Sequence, residues 1–126
     1  MQNQKSALGL DGNVTALIGY IIGIIALVEI FIEKDNKFAR FHALQSVLYH
    51  VGFWILFTVV WVVAFIVSIV LAQISSIFAI LGMLIWLLLF VVFLAYFAGL
   101  IYAAIKSFQG AMFKLPIVGN LAEKWT

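Results

Sequence analysis

Three long apolar runs organise this chain, at positions 14–32, 47–72 and 77–105. A helix rises about 1.5 Å per residue, so roughly 20 apolar residues cross the hydrocarbon core of a bilayer. The first run has about that length. The second and third exceed it, so they must tilt or stand out of the core. Only Gln73, Ile74, Ser75 and Ser76 separate the last two runs. So short a link predicts an antiparallel helical hairpin. The pattern predicts an all-α fold: an integral membrane bundle of three transmembrane helices in a single domain over 1–126.

Asp11-Gly12-Asn13 stands before the first run and reads as a helix start, with Asp11 or Asn13 as N-cap. The run is too long for the apolar region of a signal peptide, and no clear cleavage site follows it. Gly19 and Gly23 form a small-xxx-small pair within it. Ala95, Gly99 and Ala103 repeat that spacing in the third run. Such stripes let helices approach closely, either between copies of the chain or within one copy. Packing within the chain is the simpler expectation, because partner helices are at hand.

Between the first and second runs lies the densest group of polar side chains, Phe38-Ala39-Arg40-Phe41-His42-Ala43-Leu44-Gln45-Ser46. At 100° per residue, Phe38, Phe41, His42 and Gln45 share one helical face and Arg40 points away. This predicts a short amphipathic helix whose buried His and Gln need partners. Ser46 and His50 extend the polar edge. Beyond Lys106, apolar Phe108, Met112 and Phe113 alternate with polar residues, and Pro116 interrupts any helix. An interfacial C-terminal segment is expected there.

Composition supports a lipid environment. The chain is 67% hydrophobic and 10% charged, against about 45–50% and about 25% in soluble domains. A formal charge of +2 with scattered basic residues argues against nucleic acid as a partner. With no cysteine there is no disulfide or thiolate chemistry. Lys34, Lys37, Arg40, Lys106, Lys114 and Lys124 fall on one side of a three-span topology, and only Lys5 on the other. The positive-inside rule then places the N-terminus outside and the C-terminus in the cytoplasm.

Little in the sequence points to catalysis. No phosphate loop, zinc-protease motif or nucleophile elbow is present. His42 and His50 lack a third ligand at useful spacing, so no metal or cofactor is expected. The deep parts of the runs carry no ionisable group but tyrosine, which counts against an ion-driven carrier. Glu29 lies about one turn from the end of the first run. It reads either as a proton- or cation-handling carboxylate or as an interfacial anchor. Glu29, Arg40, His42, Gln45 and Lys106 are expected to converge near one membrane face, as a structural clasp or as a docking point for headgroups or a partner protein.

Four segments carry a family resemblance. They are Gly9-Leu10-Asp11-Gly12-Asn13-Val14, Glu33-Lys34 with Asn36-Lys37-Phe38, Arg40-Phe41-His42-Ala43-Leu44-Gln45-Ser46, and Phe113-Lys114-Leu115-Pro116-Ile117-Val118-Gly119. In that order they resemble a family of small prokaryotic membrane proteins of unknown function, distantly related to a membrane component of the chloroplast Tic import machinery and to magnetosome MamF-like proteins. The resemblance implies a helical bundle in a cytoplasmic-type membrane. The chain is read as a non-enzymatic assembly or scaffold component, partnered by lipid and by copies of itself or a larger membrane complex. The alternative, by analogy with the import component, is a small oligomeric transport or protein-conducting subunit. Three expected spans rather than four weigh against that analogy.

Overall fold

The computed structural model describes residues 4–126. Five helices follow one another: α1 (Gly12–Ile21), α2 (Gly23–Ile32), α3 (Lys37–Ile74), α4 (Ser76–Phe108) and α5 (Val118–Trp125). The fold is all-α. Two helices, α3 and α4, are long and apolar enough to cross a membrane. The run at 14–32, expected as a third crossing helix, is not one helix. It breaks at Ile22, whose backbone is extended (φ −117°, ψ 91°).

The break has a local cause and a tertiary one. Gly19 and Gly23 flank a β-branched stretch, and both residue types weaken a helix. The two arms then fold onto each other. A Cβ added at Gly19 would lie 3.4 Å from the Cβ of Ala26, so the arms cross at a small-on-small contact. Both open ends of this pair lie together. The Ala7 N–H donates to Glu33 Oε2 at 2.6 Å, and Asn36 Nδ2 donates to the Gln4 carbonyl at 2.8 Å. The Ser6 and Thr15 hydroxyls bond at 2.7 Å. A continuous helix would have held Thr15 and Glu33 about 27 Å apart. The two open ends of the pair α1–α2 therefore lie side by side. The expectation of an N-terminus across the membrane from the first loop assumed one continuous helix there, and the run forms two.

The separate amphipathic helix expected before the second run is also corrected. Residues 37–46 are the first turns of α3, which continues without a break to Ile74. Asn36 starts it as N-cap, its Oδ1 accepting from the Ala39 N–H at 3.2 Å. Asp11 precedes α1, but its carboxylate pairs with Lys5 at 2.7 Å instead of capping the helix.

The chain separates into two compact units. One comprises Met1–Val51 with Ala98–Thr126. Its core joins Tyr20, Leu100, Ala103, Ala104 and Leu115, and a second cluster seats Ala122 of α5 on Phe41 and Leu44 of α3. The other unit, Gly52–Phe97, is the antiparallel hairpin of α3 and α4. Phe53 stacks on Tyr96 with ring centroids 4.0 Å apart, and Trp61 meets Trp86 edge-on at 5.5 Å. Most of its other side chains are exposed and apolar, as suits helices solvated by lipid.

Candidate functional site

The polar stretch at the start of α3 forms a connected network in the first unit. His42 Nε2 lies 3.1 Å from the Ala111 carbonyl. A carbonyl can only accept, so Nε2 carries the proton and Nδ1 of the neutral ring accepts. The Tyr20 hydroxyl, 2.8 Å from Nδ1, is its donor. Gln45 Nε2 in turn donates to the Tyr20 oxygen at 2.6 Å and to the Phe113 carbonyl at 2.9 Å. Gln45 Oε1 accepts from the Leu115 N–H at 2.8 Å. The geometry fixes one amide orientation and one tautomer, and each polar atom of His42, Gln45 and the Tyr20 hydroxyl is satisfied.

The network ties three segments together. Tyr20 comes from the last turn of α1, His42 and Gln45 from α3, and the carbonyls from the strap 111–117 that leads to α5. The strap folds back tightly at Gly119, where a Cβ would lie 2.8 Å from Gln45 Oε1 and 2.6 Å from the Lys114 Cβ. Only glycine fits so close an approach. Just before it, Ile117 sits at φ 67°, ψ −61°, and the Val118 N–H donates to the Pro116 carbonyl at 2.7 Å. This is a γ-turn of the rare, strained hand.

One turn along α3, Ser46 Oγ donates to the Gly19 carbonyl at 2.8 Å, and His50 Nε2 to the Tyr20 carbonyl at 3.2 Å. These carbonyls belong to the last turn of α1, where helical partners run out. A helix that stops within an apolar medium must have its freed carbonyls paired by neighbours. Ser46 and His50 do this.

Arg40 closes the other arm. Its guanidinium donates to the Ile30 and Glu33 carbonyls at 2.8 and 2.9 Å, placing a cation at the negative end of α2. Glu33 accepts the N–H groups of Ala7, Asp35 and Asn36. Burial alone would raise its pKa, but these donors outweigh it and hold the carboxyl below the usual carboxylate range.

Of the five residues expected to converge, His42 and Gln45 share one network and Arg40 anchors the α2–α3 junction. Lys106 stands over the Tyr102 ring, 5.5 Å from its centroid. Glu29 is 1% exposed, and neither carboxyl oxygen has a hydrogen-bond partner among the described residues. Four residues on, just past the end of α2, is Glu33, a group of the same sign. Among the packing residues, Gly19 meets Ala26, Gly23 meets the His50 ring, Gly99 faces the Tyr49 hydroxyl, and Ala103 is buried in the core. Ala95 is exposed. Among the described residues, no three His, Asp or Glu side chains gather in a way that could hold a metal ion.

Sequence reasoning gave no role to Tyr20, Glu33 or Asn36, although Glu33 and Asn36 lie in a segment that carries the resemblance. Tyr20 was detectable in principle as one of two hydroxyls, with Thr15, inside the first apolar run, since a buried tyrosine oxygen needs a partner. The carbonyl acceptors of the strap carry no sequence signal.

No solved structure matches this chain. It is 36% identical over 123 residues to a UPF0132 membrane protein of Methanocaldococcus jannaschii, an alignment spanning 97% of this chain and 94% of that one. A UPF0132 membrane protein of Archaeoglobus fulgidus is 32% identical over 113 residues, 89% of this chain and 92% of the relative. A second M. jannaschii relative of the same designation is 30% identical over 120 residues, covering 94% and 73%. These relatives are membrane proteins by designation, and they lend no support to the likeness with the chloroplast import component. Residues 7–122 match the model of the magnetosome magnetite crystal formation protein family, and a match over nearly the whole chain places this protein in that MamF/MmsF family.

Proposed function

We propose that this chain is a non-enzymatic structural constituent of a cytoplasmic-type membrane, acting by assembly with copies of itself or with partner membrane proteins. The observation that carries this reading is the spent hydrogen-bonding capacity of the family-like motif. His42, Gln45 and Ser46 serve Tyr20, the Gly19 carbonyl and the strap, so the motif acts as a clasp and has no polar edge left to turn a substrate over. The family description associates its members with magnetite formation in magnetosomes. What this carries to the present chain is a place in a specialised membrane.

Orientation follows from the returning pair α1–α2. With both its ends on one side, Lys5 joins Lys34, Lys37, Arg40, Lys106, Lys114 and Lys124 at the same end, and the segment from Phe41 to Ile105 carries no charge at all. The positive-inside rule assigns that end, with both termini, to the cytoplasm.

The assembly reading is tested by diluting donor- and acceptor-labelled chains together in liposomes. Energy transfer that persists at low protein-to-lipid ratio supports it, and transfer that falls to the random-encounter level overturns it. The unpartnered Glu29 carboxyl favours the transport alternative. Proton or cation flux into those liposomes that is lost in Glu29→Gln would establish that alternative instead.

A further inference from the structure

Each arm of the α1–α2 pair has ten residues, so each reaches about 15 Å, half of a hydrocarbon core about 30 Å thick. The pair enters and leaves on the charged side, and its turn at Ile21–Gly23 is apolar. Its outer surface is apolar too: Ile24 is 75% exposed, Phe31 74%, and Leu27 and Val28 nearly half. Water is the wrong solvent for that surface. Two carbonyls freed at the turn, those of Gly19 and Tyr20, are paired by Ser46 and His50, which lowers the polar cost of resting the turn inside hydrocarbon.

A second element loads the same side. Ile117, Leu121 and Trp125 recur at four-residue spacing along α5 and its entry, and all three are exposed. Lys114 and Lys124 flank them, with Lys114 paired to Glu123. An apolar stripe carrying a tryptophan and edged by lysine is suited to the headgroup–acyl boundary of a membrane.

We infer that this protein prefers and promotes membrane curvature, by filling one leaflet with the half-depth hairpin α1–α2 and the interfacial helix α5. Helices α3 and α4 are long enough to displace lipid in both leaflets alike. The pair α1–α2 adds two helix cross-sections, each about 10–12 Å wide with side chains, to the charged-side leaflet alone. That leaflet expands relative to its partner, and the bilayer bends with the charged face convex. The ligand of this surface is the bilayer, selected by its curvature. The inference holds whether or not the chain assembles with copies of itself.

The test uses the full chain, fluorescently labelled and reconstituted into small sonicated and large extruded vesicles, with orientation read from trypsin access to the lysine-bearing end. Chains whose charged face points outward should be several-fold denser on the small vesicles, and chains facing inward should show no such enrichment. The variant with Ile24→Ser and Phe31→Ser, both far from the core, should lose the enrichment while keeping its helix content. Equal density at every vesicle size, or the opposite orientation preference, overturns the inference. So does a second measurement that needs no variant core. The chain has no cysteine, so a spin label at Ile22→Cys reports depth directly. A label near the midplane supports a half-depth hairpin, and reaction with an impermeant reagent from the uncharged side shows a full crossing and refutes it.

Discussion

The Ser46 hydroxyl donates to the Gly19 carbonyl across 2.8 Å, and this contact lets a helix stop in the middle of an apolar run. Together with His50 on the Tyr20 carbonyl, it supplies from α3 the donors that α1 loses at Ile22. Replacing a donor strands a buried acceptor, which costs about 1–3 kcal/mol in proteins generally and nearer 0.6 kcal/mol on average between membrane helices. Ser46→Ala and His50→Phe should therefore each destabilise the fold by about 1 kcal/mol. The two sites share a neighbourhood, so the double variant should depart from additivity. Titrating each protein from mild detergent into a denaturing one while following helix content measures the loss.

The hairpin of α3 and α4 was legible in the sequence because period, length and the short link at 73–76 all agreed. The break in the first run was not legible because hydropathy is blind to direction. Two ten-residue helices folded onto each other have the same composition as one helix of twenty. Gly19 and Gly23 did signal close approach, but a small residue does not name its partner, which proved to be Ala26 on the returning arm. At the site, His42 and Gln45 stood out as polar groups on an apolar face. Their partners Ala111 and Phe113 are backbone carbonyls almost seventy residues away, and any residue type offers a carbonyl.

Gln45 has the most to lose of any side chain in the network. Gln45→Leu removes bonds to Tyr20, Phe113 and Leu115 and leaves two backbone groups of the strap unpaired. A loss of about 3 kcal/mol is expected from the sum of these groups. Gln45→Glu should fare no better: one oxygen still accepts from Leu115, but the other meets the Phe113 carbonyl, acceptor against acceptor. In both variants the strap should open. Trypsin should then cut after Lys114 faster than in the parent chain, and an unchanged cutting rate would contradict the clasp.

Ile117 holds a positive φ that a β-branched side chain rarely adopts, and its own side chain is 77% exposed. Little packing is lost when it is shortened. Ile117→Gly removes strain of about 1–3 kcal/mol and adds back chain entropy of about 0.5–1 kcal/mol. The net expectation is a more stable protein, seen as a higher melting temperature in detergent. The same change should weaken interfacial anchoring of α5, since Ile117 heads its exposed stripe. A stability gain together with a shallower Trp125 would separate the two effects.

Glu33 fastens the N-terminal tail through the Ala7 N–H and the first loop through Asp35 and Asn36. Its carboxyl is held below the usual range in the folded protein. A depressed carboxylate contributes stability above its unfolded pKa, about 4.3, and that contribution is lost as pH falls through the lower folded value. The parent chain should thus show constant stability from neutral pH down to about 5 on this account, then a decline in acid. Glu33→Gln turns one acceptor into a donor that faces an N–H, so it should be less stable at neutral pH by about 1–2 kcal/mol. Other carboxyls titrate in both proteins, so the effect is read from the difference between the two curves. That difference should shrink on acidification, and hydrogen exchange at Ala7 should quicken over the same range. A difference that stays constant with pH would show that Glu33 is not ionised in the fold.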